Sequence, residues 1–168
     1  MNKLIILNGP SGAGKSTVAM ILWKKMGRTA LVGLDEIKWL ISDYKSDNHD
    51  LTLAGNIGLN MTESFLVDGL DVIVEKAFCK QEHIKPFIDL AEKLSIPYFL
   101  FNIEAPLEIL IERSKNRSLD TNQKFDEEKV RRLCAEYKEN KVETRTFDAS
   151  KNTTEEIADL IFESITTK

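Results

Sequence analysis

Nine consecutive residues near the N-terminus carry the clearest chemistry in this chain. Gly9-Pro10-Ser11-Gly12-Ala13-Gly14-Lys15-Ser16-Thr17 satisfies G-x-x-x-x-G-K-S/T at every position. Glycines let the main chain wrap closely around a phosphate group. The N–H groups of the Gly9 to Gly14 stretch, Ser11 and Ala13 included, then aim inward as an anion nest. A helix opening near Lys15 adds the positive end of its dipole. Lys15 reaches the β- and γ-phosphates of a nucleoside triphosphate, and the Ser16 hydroxyl is a hard oxygen suited to Mg²⁺. Thr17 adds a contact to the α-phosphate. Four specified positions match by chance in well under about 1% of chains this long, and the setting is the required one, an apolar strand before and a helix after.

Two acids stand where a parallel sheet would open onto such a loop. The second strand is expected to end at Asp35, next to the phosphate loop. A carboxylate there can take the proton of a hydroxyl attacking a γ-phosphate; the plainer reading is a helix N-cap, and both can hold at once. Glu75 ends a third strand behind the buried run Val72-Ile73-Val74. It could hold Mg²⁺ through water or orient a substrate, or be a surface acid paired with Lys76. Arg113 and Arg117 lie one helical turn apart and face the same way. Arginine is always charged and fork-shaped, which suits phosphate recognition over a closing lid. The alternative is a solvated helix face, and that reading is preferred for Lys115, Arg131 and Arg132. The sequence argues against a signalling GTPase, because no aspartate has a glycine three residues later and the closest guanine-reading sequence, Asn140-Lys141-Val142-Glu143, ends in the wrong acid.

Positioning these groups requires strands alternating with helices, and the apolar pattern supplies them. Strands are expected over Lys3–Asn8, Thr29–Leu34, Asp71–Glu75, Pro97–Ile103 and, weakly, Glu143–Phe147. Helical periods run over Lys15–Met26, Glu36 to about Tyr44, Leu51 to about Val67, Ile84–Leu94, from Pro106, Val130–Tyr137, and behind the capping box Thr153-x-x-Glu156. The polar stretch Ser114–Asp126 reads as an exposed, mobile loop. The whole predicts a parallel sheet covered by helices on both faces, with the ligand beyond the carboxyl ends of the strands. With 168 residues, one domain over 1–168 is the simplest description.

Composition narrows the function. A net charge of -4 argues against non-specific nucleic-acid binding, which depends on Lys and Arg neutralising phosphates. Cys79 and Cys134 stand in no metal-like spacing and read as free thiols of a reducing compartment. His49 and His83 are too few and too scattered for a histidine metal site. No targeting or membrane-spanning run is evident, so a cytoplasmic protein is expected.

With these residues in place, the chain resembles the small P-loop kinases of the nucleoside-monophosphate-kinase-like group, which includes adenylate, shikimate and gluconate kinases, chloramphenicol phosphotransferase and polynucleotide 5′-kinase. The resemblance spans nearly the whole chain, with the phosphate loop as its specific signature. It implies a three-layer α/β/α P-loop NTPase fold with five parallel strands and the P-loop strand central. It implies a lid at about 114–128 opened by an Arg-x-x-x-Arg pair, here Arg113 on adenine and Arg117 on phosphates. By the same resemblance the loop Asp148–Asn152 borders adenine, Asp35 is the base, and Lys38 could touch substrate. The sequence departs from the group in having Glu75-Lys76-Ala77 where shikimate kinases have three glycines, and no arginine between Asp35 and Glu75 to clamp a monophosphate. The expectation is an ATP- and Mg²⁺-dependent kinase, monomer or homodimer, acting on a hydroxyl of a small molecule. A nucleotide kinase, a polynucleotide 5′-kinase and a non-catalytic ATP-binding module are the alternatives.

Overall fold

The N-terminal apolar run is buried on both sides because it forms the middle of a sheet. The computed structural model describes residues 2–45, 47–121 and 125–166. Its strands are β1 (Leu4–Asn8), β2 (Thr29–Gly33), β3 (Asp71–Glu75), β4 (Tyr98–Glu104) and β5 (Arg145–Asp148). They pair in the order β2-β3-β1-β4-β5, all parallel. Side chains of β1 alternate between faces. Ile5 and Leu7 enter one core, Leu4 and Ile6 the other.

Parallel neighbours need crossovers over the faces, and the helices provide them: α1 (Lys15–Lys25), α2 (Leu34–Lys38), α3 (Asn48–Val67), α4 (Gln81–Lys93), α5 (Leu107–Thr121), α6 (Glu127–Asn140) and α7 (Thr154–Thr166). Val18 and Leu22 of α1 pack with Ile157 and Ile161 of α7 over Ile5 and Leu7. Ala54 and Leu66 of α3 pack with Ile84 and Phe87 of α4 over Leu4 and Ile6. The result is a three-layer α/β/α arrangement around a five-stranded parallel sheet. The capping box at α7 forms as the sequence implies: Glu156 N–H donates to Thr153 Oγ1 at 3.2 Å and Thr153 N–H to Glu156 Oε2 at 2.8 Å. No helix among the described residues is long and apolar enough to cross a membrane.

Four details differ from the sequence expectation. First, β2 is an edge strand, separated from β1 by β3, so it is Glu75 that ends the P-loop strand's immediate neighbour. Second, β2 stops at Gly33, which places Asp35 in the first turn of α2. Third, α2 ends at Lys38 and continues only as i→i+3 turns, Leu40 N–H to Ile37 O and Ile41 N–H to Lys38 O, both 3.1 Å. Leu34 and Ile37 already fill the core beneath α2, and Leu40 is left 81% exposed. Fourth, the stretch from Ser114, expected to be a loop, is helix as far as Thr121. Its polar residues lack an apolar period because this part of α5 stands off the core. Residues 122–124 of the expected lid lie outside the described residues.

Two glycines of α3 have opposite surroundings. A Cβ on Gly55 would meet nothing within 4 Å, whereas one on Gly58 would come within 2.0 Å of Leu34 Cδ2, a side chain 1% exposed. Gly55→Ala is expected to gain about 1 kcal/mol of helix propensity. Gly58→Ala gains the same propensity but overpacks Leu34, at a cost of about 1–3 kcal/mol. Urea midpoints should therefore move up for the first variant and down for the second.

Candidate active site

The end of β1 hands the chain to the phosphate loop through a buried amide. Asn8 is fully buried, and its Oδ1 accepts from Gly9 N–H at 2.8 Å and from Phe78 N–H at 2.9 Å. One side chain thus ties the start of the loop to the segment after β3. Gly9 has φ +146°, and a Cβ there would lie 2.0 Å from Ile103 O. Gly12 has φ +83°, and its Cβ would lie 2.9 Å from Leu110 O on α5. Both positions combine a conformation that side chains rarely adopt with contact too close for one, so the loop can lie flat between β4 and α5.

The loop ends at Gly14, the N-cap of α1, which makes no side-chain cap. The first bond inside the helix is Val18 N–H to Gly14 O at 3.0 Å. Helix geometry therefore leaves the N–H groups of Lys15, Ser16 and Thr17 without intrahelical acceptors, at the positive end of the dipole. Ala13 N–H and the Lys15 amine both donate to Pro10 O, at 3.3 and 3.0 Å. Lys15 is buried, and burial holds its pKa below the ordinary lysine value; Glu75 and Asp35 pull it back up, and Arg117 adds to the lowering. A cation is thus held in the interior, within the fields of two carboxylates and an arginine.

Glu75 is 4% exposed and accepts from Ser16 Oγ at 3.0 Å, so the two candidate metal residues, distant in sequence, meet. Its hydrogen-bond partner is Ser16 rather than a surface lysine. Burial pushes the Glu75 carboxyl up, Lys15 and Ser16 oppose this, and Glu36 and Asp35 add to the rise. A hydroxyl and a carboxylate oxygen side by side at the foot of an anion-binding helix form a hard-oxygen donor pair, which fits Mg²⁺.

Asp35 is not a cap: the N-cap of α2 is Gly33, without a side-chain bond. Its half-exposed side chain pairs with Lys38 one turn on. Burial acts to raise its pKa, but Lys38, by charge and hydrogen bond, with Lys15 and Lys76, outweighs it and holds the carboxyl below the ordinary range. Asp35 stays ionised and so remains a proton acceptor into acid. The pair contributes stability at and above the ordinary aspartate pKa, and that contribution is lost as pH falls through the lowered value. Lys38→Ala removes the strongest opposition to burial and moves the Asp35 pKa up. The acid limb of a kcat/KM–pH profile should shift to higher pH in that variant.

Arg113 donates from Nη2 to Ala149 O at 2.9 Å, which joins α5 to the loop after β5. Gly14 approaches the same region, with Thr154 Cγ2 3.3 Å from the place its Cβ would take. Arg117 stands close enough to Lys15 to influence its charge. Arg131 and Arg132 pair along their own helix with Glu127 and Glu136, at 2.7 and 3.9 Å, as their solvated-face reading implies.

Beside Ser16 and Glu75 opens a cavity of about 310 Å³, at the lower end for ligand pockets. Leu31, Ile37, Leu40, Met20 and Met61 supply apolar wall, and the charged residues lining it are Glu36 and Glu75. It lies off the carboxyl end of the edge strand, where open α/β sheets place their ligands.

The sequence of the AAA domain model AAA_33 matches residues 4–157. The chain belongs to this P-loop kinase-like family. The AAA_33 assignment and the sheet order together make the fold a P-loop NTPase fold. No curated protein sequence matches it at a significant level. Among solved structures, the APS kinase of Mycobacterium tuberculosis in complex with AMPPNP and APS superposes with TM-score 0.77 at 18% identity, covering 99% of this chain and 98% of that one. The tunicamycin resistance protein of Deinococcus radiodurans gives 0.73 at 17%, covering 100% and 98%. Shikimate kinase from Acinetobacter baumannii in complex with shikimate gives 0.64 at 23%, covering 98% and 93%. At such identities these likenesses establish the architecture.

In this AAA_33 chain two site residues escape a sequence reading. Asn8 reads as the last residue of a strand, and only its two bonds reveal a clamp. Glu36 follows Asp35 and shows no distinguishing pattern, yet it is the acid of that pair that lines the cavity. Phe78 is core, edge-on to Phe87, and Phe65 packs against the same core. Trp39 is 66% exposed.

Proposed function

We propose that this chain is an ATP-dependent kinase that transfers the γ-phosphoryl group to a hydroxyl of a small molecule. The observation that carries the reading is the buried Lys15 amine, bonded to Pro10 O inside the phosphate loop, together with the Ser16–Glu75 pair and a cavity of acceptor size adjoining. The solved APS kinase relative holds AMPPNP and APS, which favours a nucleotide in the loop here too.

The main-chain N–H groups of Ser11, Gly12 and Gly14 to Thr17 grip the polyphosphate, and Lys15 stabilises charge on the transferring group. Ser16 and Glu75 would hold Mg²⁺, which when bound neutralises phosphate charge. Asp35 accepts the proton of the acceptor hydroxyl as its oxygen bonds to the γ-phosphorus. The bond from that phosphorus to the β–γ bridging oxygen breaks, and ADP leaves. Arg117 closes over the phosphates, and Arg113 with the loop after β5 borders the base.

The acceptor reading rests on charge. APS and shikimate are anions, whereas this cavity is lined by carboxylates, and Lys38 and Lys76 are in charge contact with Asp35. An uncharged hydroxyl compound suits the wall better. The test is acceptor-dependent ADP release from two pools, uncharged alcohols and sugars against nucleoside monophosphates, with Lys15→Ala as the background. Turnover confined to monophosphates would replace the proposal with a nucleotide kinase, and turnover with neither pool at saturating ATP would leave a nucleotide-binding module.

A further inference from the structure

The acceptor cavity is not closed at its outer end. Met61 lines it from α3. One and two turns back along the same helix stand Ile57 and Leu53, at a spacing of four that keeps them on one side. These three residues are 37, 36 and 40% exposed. The neighbouring positions Ala54, Gly58 and Thr62 form the buried side of α3, so the stripe runs along its margin. It points toward the α2–α3 connection, where Leu40, itself in the cavity wall, is 81% exposed and Trp39 leans edge-on against Tyr44. Apolar side chains thus follow one another from the cavity wall at Met61 along the margin of α3. Inside the cavity, Glu36 folds back over Gly33, with Oε2 1.9 Å from where a Cβ would sit.

Resting on the kinase reading above, we propose that the acceptor is an elongated, uncharged hydroxyl compound with an apolar arm. Its polar end lies in the cavity, where Glu36 accepts a hydrogen bond from a second hydroxyl, not the one that receives the phosphoryl group, and repels anions. Its apolar arm runs out along Met61, Ile57 and Leu53 under Leu40. The start of this stripe at the cavity wall selects a small molecule over a protein partner, and the carboxylate lining selects against an anionic head.

The test uses simple probes. Protein carrying ¹³C-methyl methionine is titrated with straight-chain primary alcohols from butanol to nonanol and with the sodium alkanoates of equal length. Met61 and Met20 line the cavity, whereas Met26 packs on the opposite core, so it serves as an internal control. The Met61 and Met20 signals should shift with Kd falling about fourfold per added methylene, and Met26 should stay in place. Alkanoates should bind at least about tenfold more weakly than the matching alcohols. Ile57→Glu should flatten the chain-length dependence, and Glu36→Gln should narrow the gap between alkanoate and alcohol. Thermal melts and ATP affinity of both variants report that the fold and the phosphate loop persist. Binding that ignores chain length, or alkanoates that equal alcohols, would overturn the proposal. ATP–Mg²⁺ titration of the same sample fails only if the kinase reading itself is wrong, which separates the two.

Discussion

Asp35→Asn is expected to lower kcat by about 10²–10⁴-fold, the range that a positioned general base supplies. Asparagine keeps the size of the side chain and can still accept from Lys38, so α2 and the cavity should keep their shape. What it loses is the capacity to take a proton. Lys38, Lys15 and Lys76 hold the Asp35 carboxyl ionised against the effect of burial, so the proposed base has its proton-accepting form in the neutral range. Steady-state ADP release with an accepted acceptor checks the effect. KM for ATP should change little, because the phosphate loop contains no atom of Asp35. Wild-type turnover by the variant would remove Asp35 from the mechanism and turn attention to Glu36, whose carboxylate lines the acceptor cavity.

Lys15→Ala is expected to lower kcat by about 10²–10³-fold or more, as loss of one preorganised charge donor does, and to weaken ATP as well. Its amine is the buried cation among Glu75, Asp35 and the loop. Removing it leaves Glu75 buried, bonded to Ser16 but without the lysine charge that opposes its burial, an arrangement that favours the protonated acid. The Glu75 carboxyl, already pushed up by burial, should rise further. Magnesium-dependent binding of an ATP analogue, followed by calorimetry across pH, should therefore weaken toward acid at a higher pH in the variant than in the wild type. Arginine at position 15 restores charge but not the compact ammonium, and it should recover affinity more than turnover. Undiminished phosphoryl transfer by Lys15→Ala would contradict the whole site assignment.

The phosphate loop is legible in the chain because its chemistry is local: backbone conformation, a helix start and a lysine within nine residues. The strand–helix alternation is legible for a similar reason, since a buried parallel strand must be apolar on both faces and Leu4 to Leu7 show it. Glu75 and Asp35 can be picked as strand-end acids, but their surroundings cannot. Strand order is a long-range property, and it alone decides that β3 rather than β2 adjoins β1, so that Glu75 meets Ser16 across 59 positions. Likewise the extent of α5 depends on packing at its first turns, while its later polar turns carry no apolar period to read. The cavity beside Ser16 and Glu75 is the extreme case. Met20, Leu31, Glu36 and Met61 come from four elements, and their convergence depends on crossovers whose lengths fix no distances. Sequence determined the chemistry of the phosphate end, because neighbouring residues build it; tertiary structure decided the chemistry of the acceptor end, because only the sheet order brings its walls together.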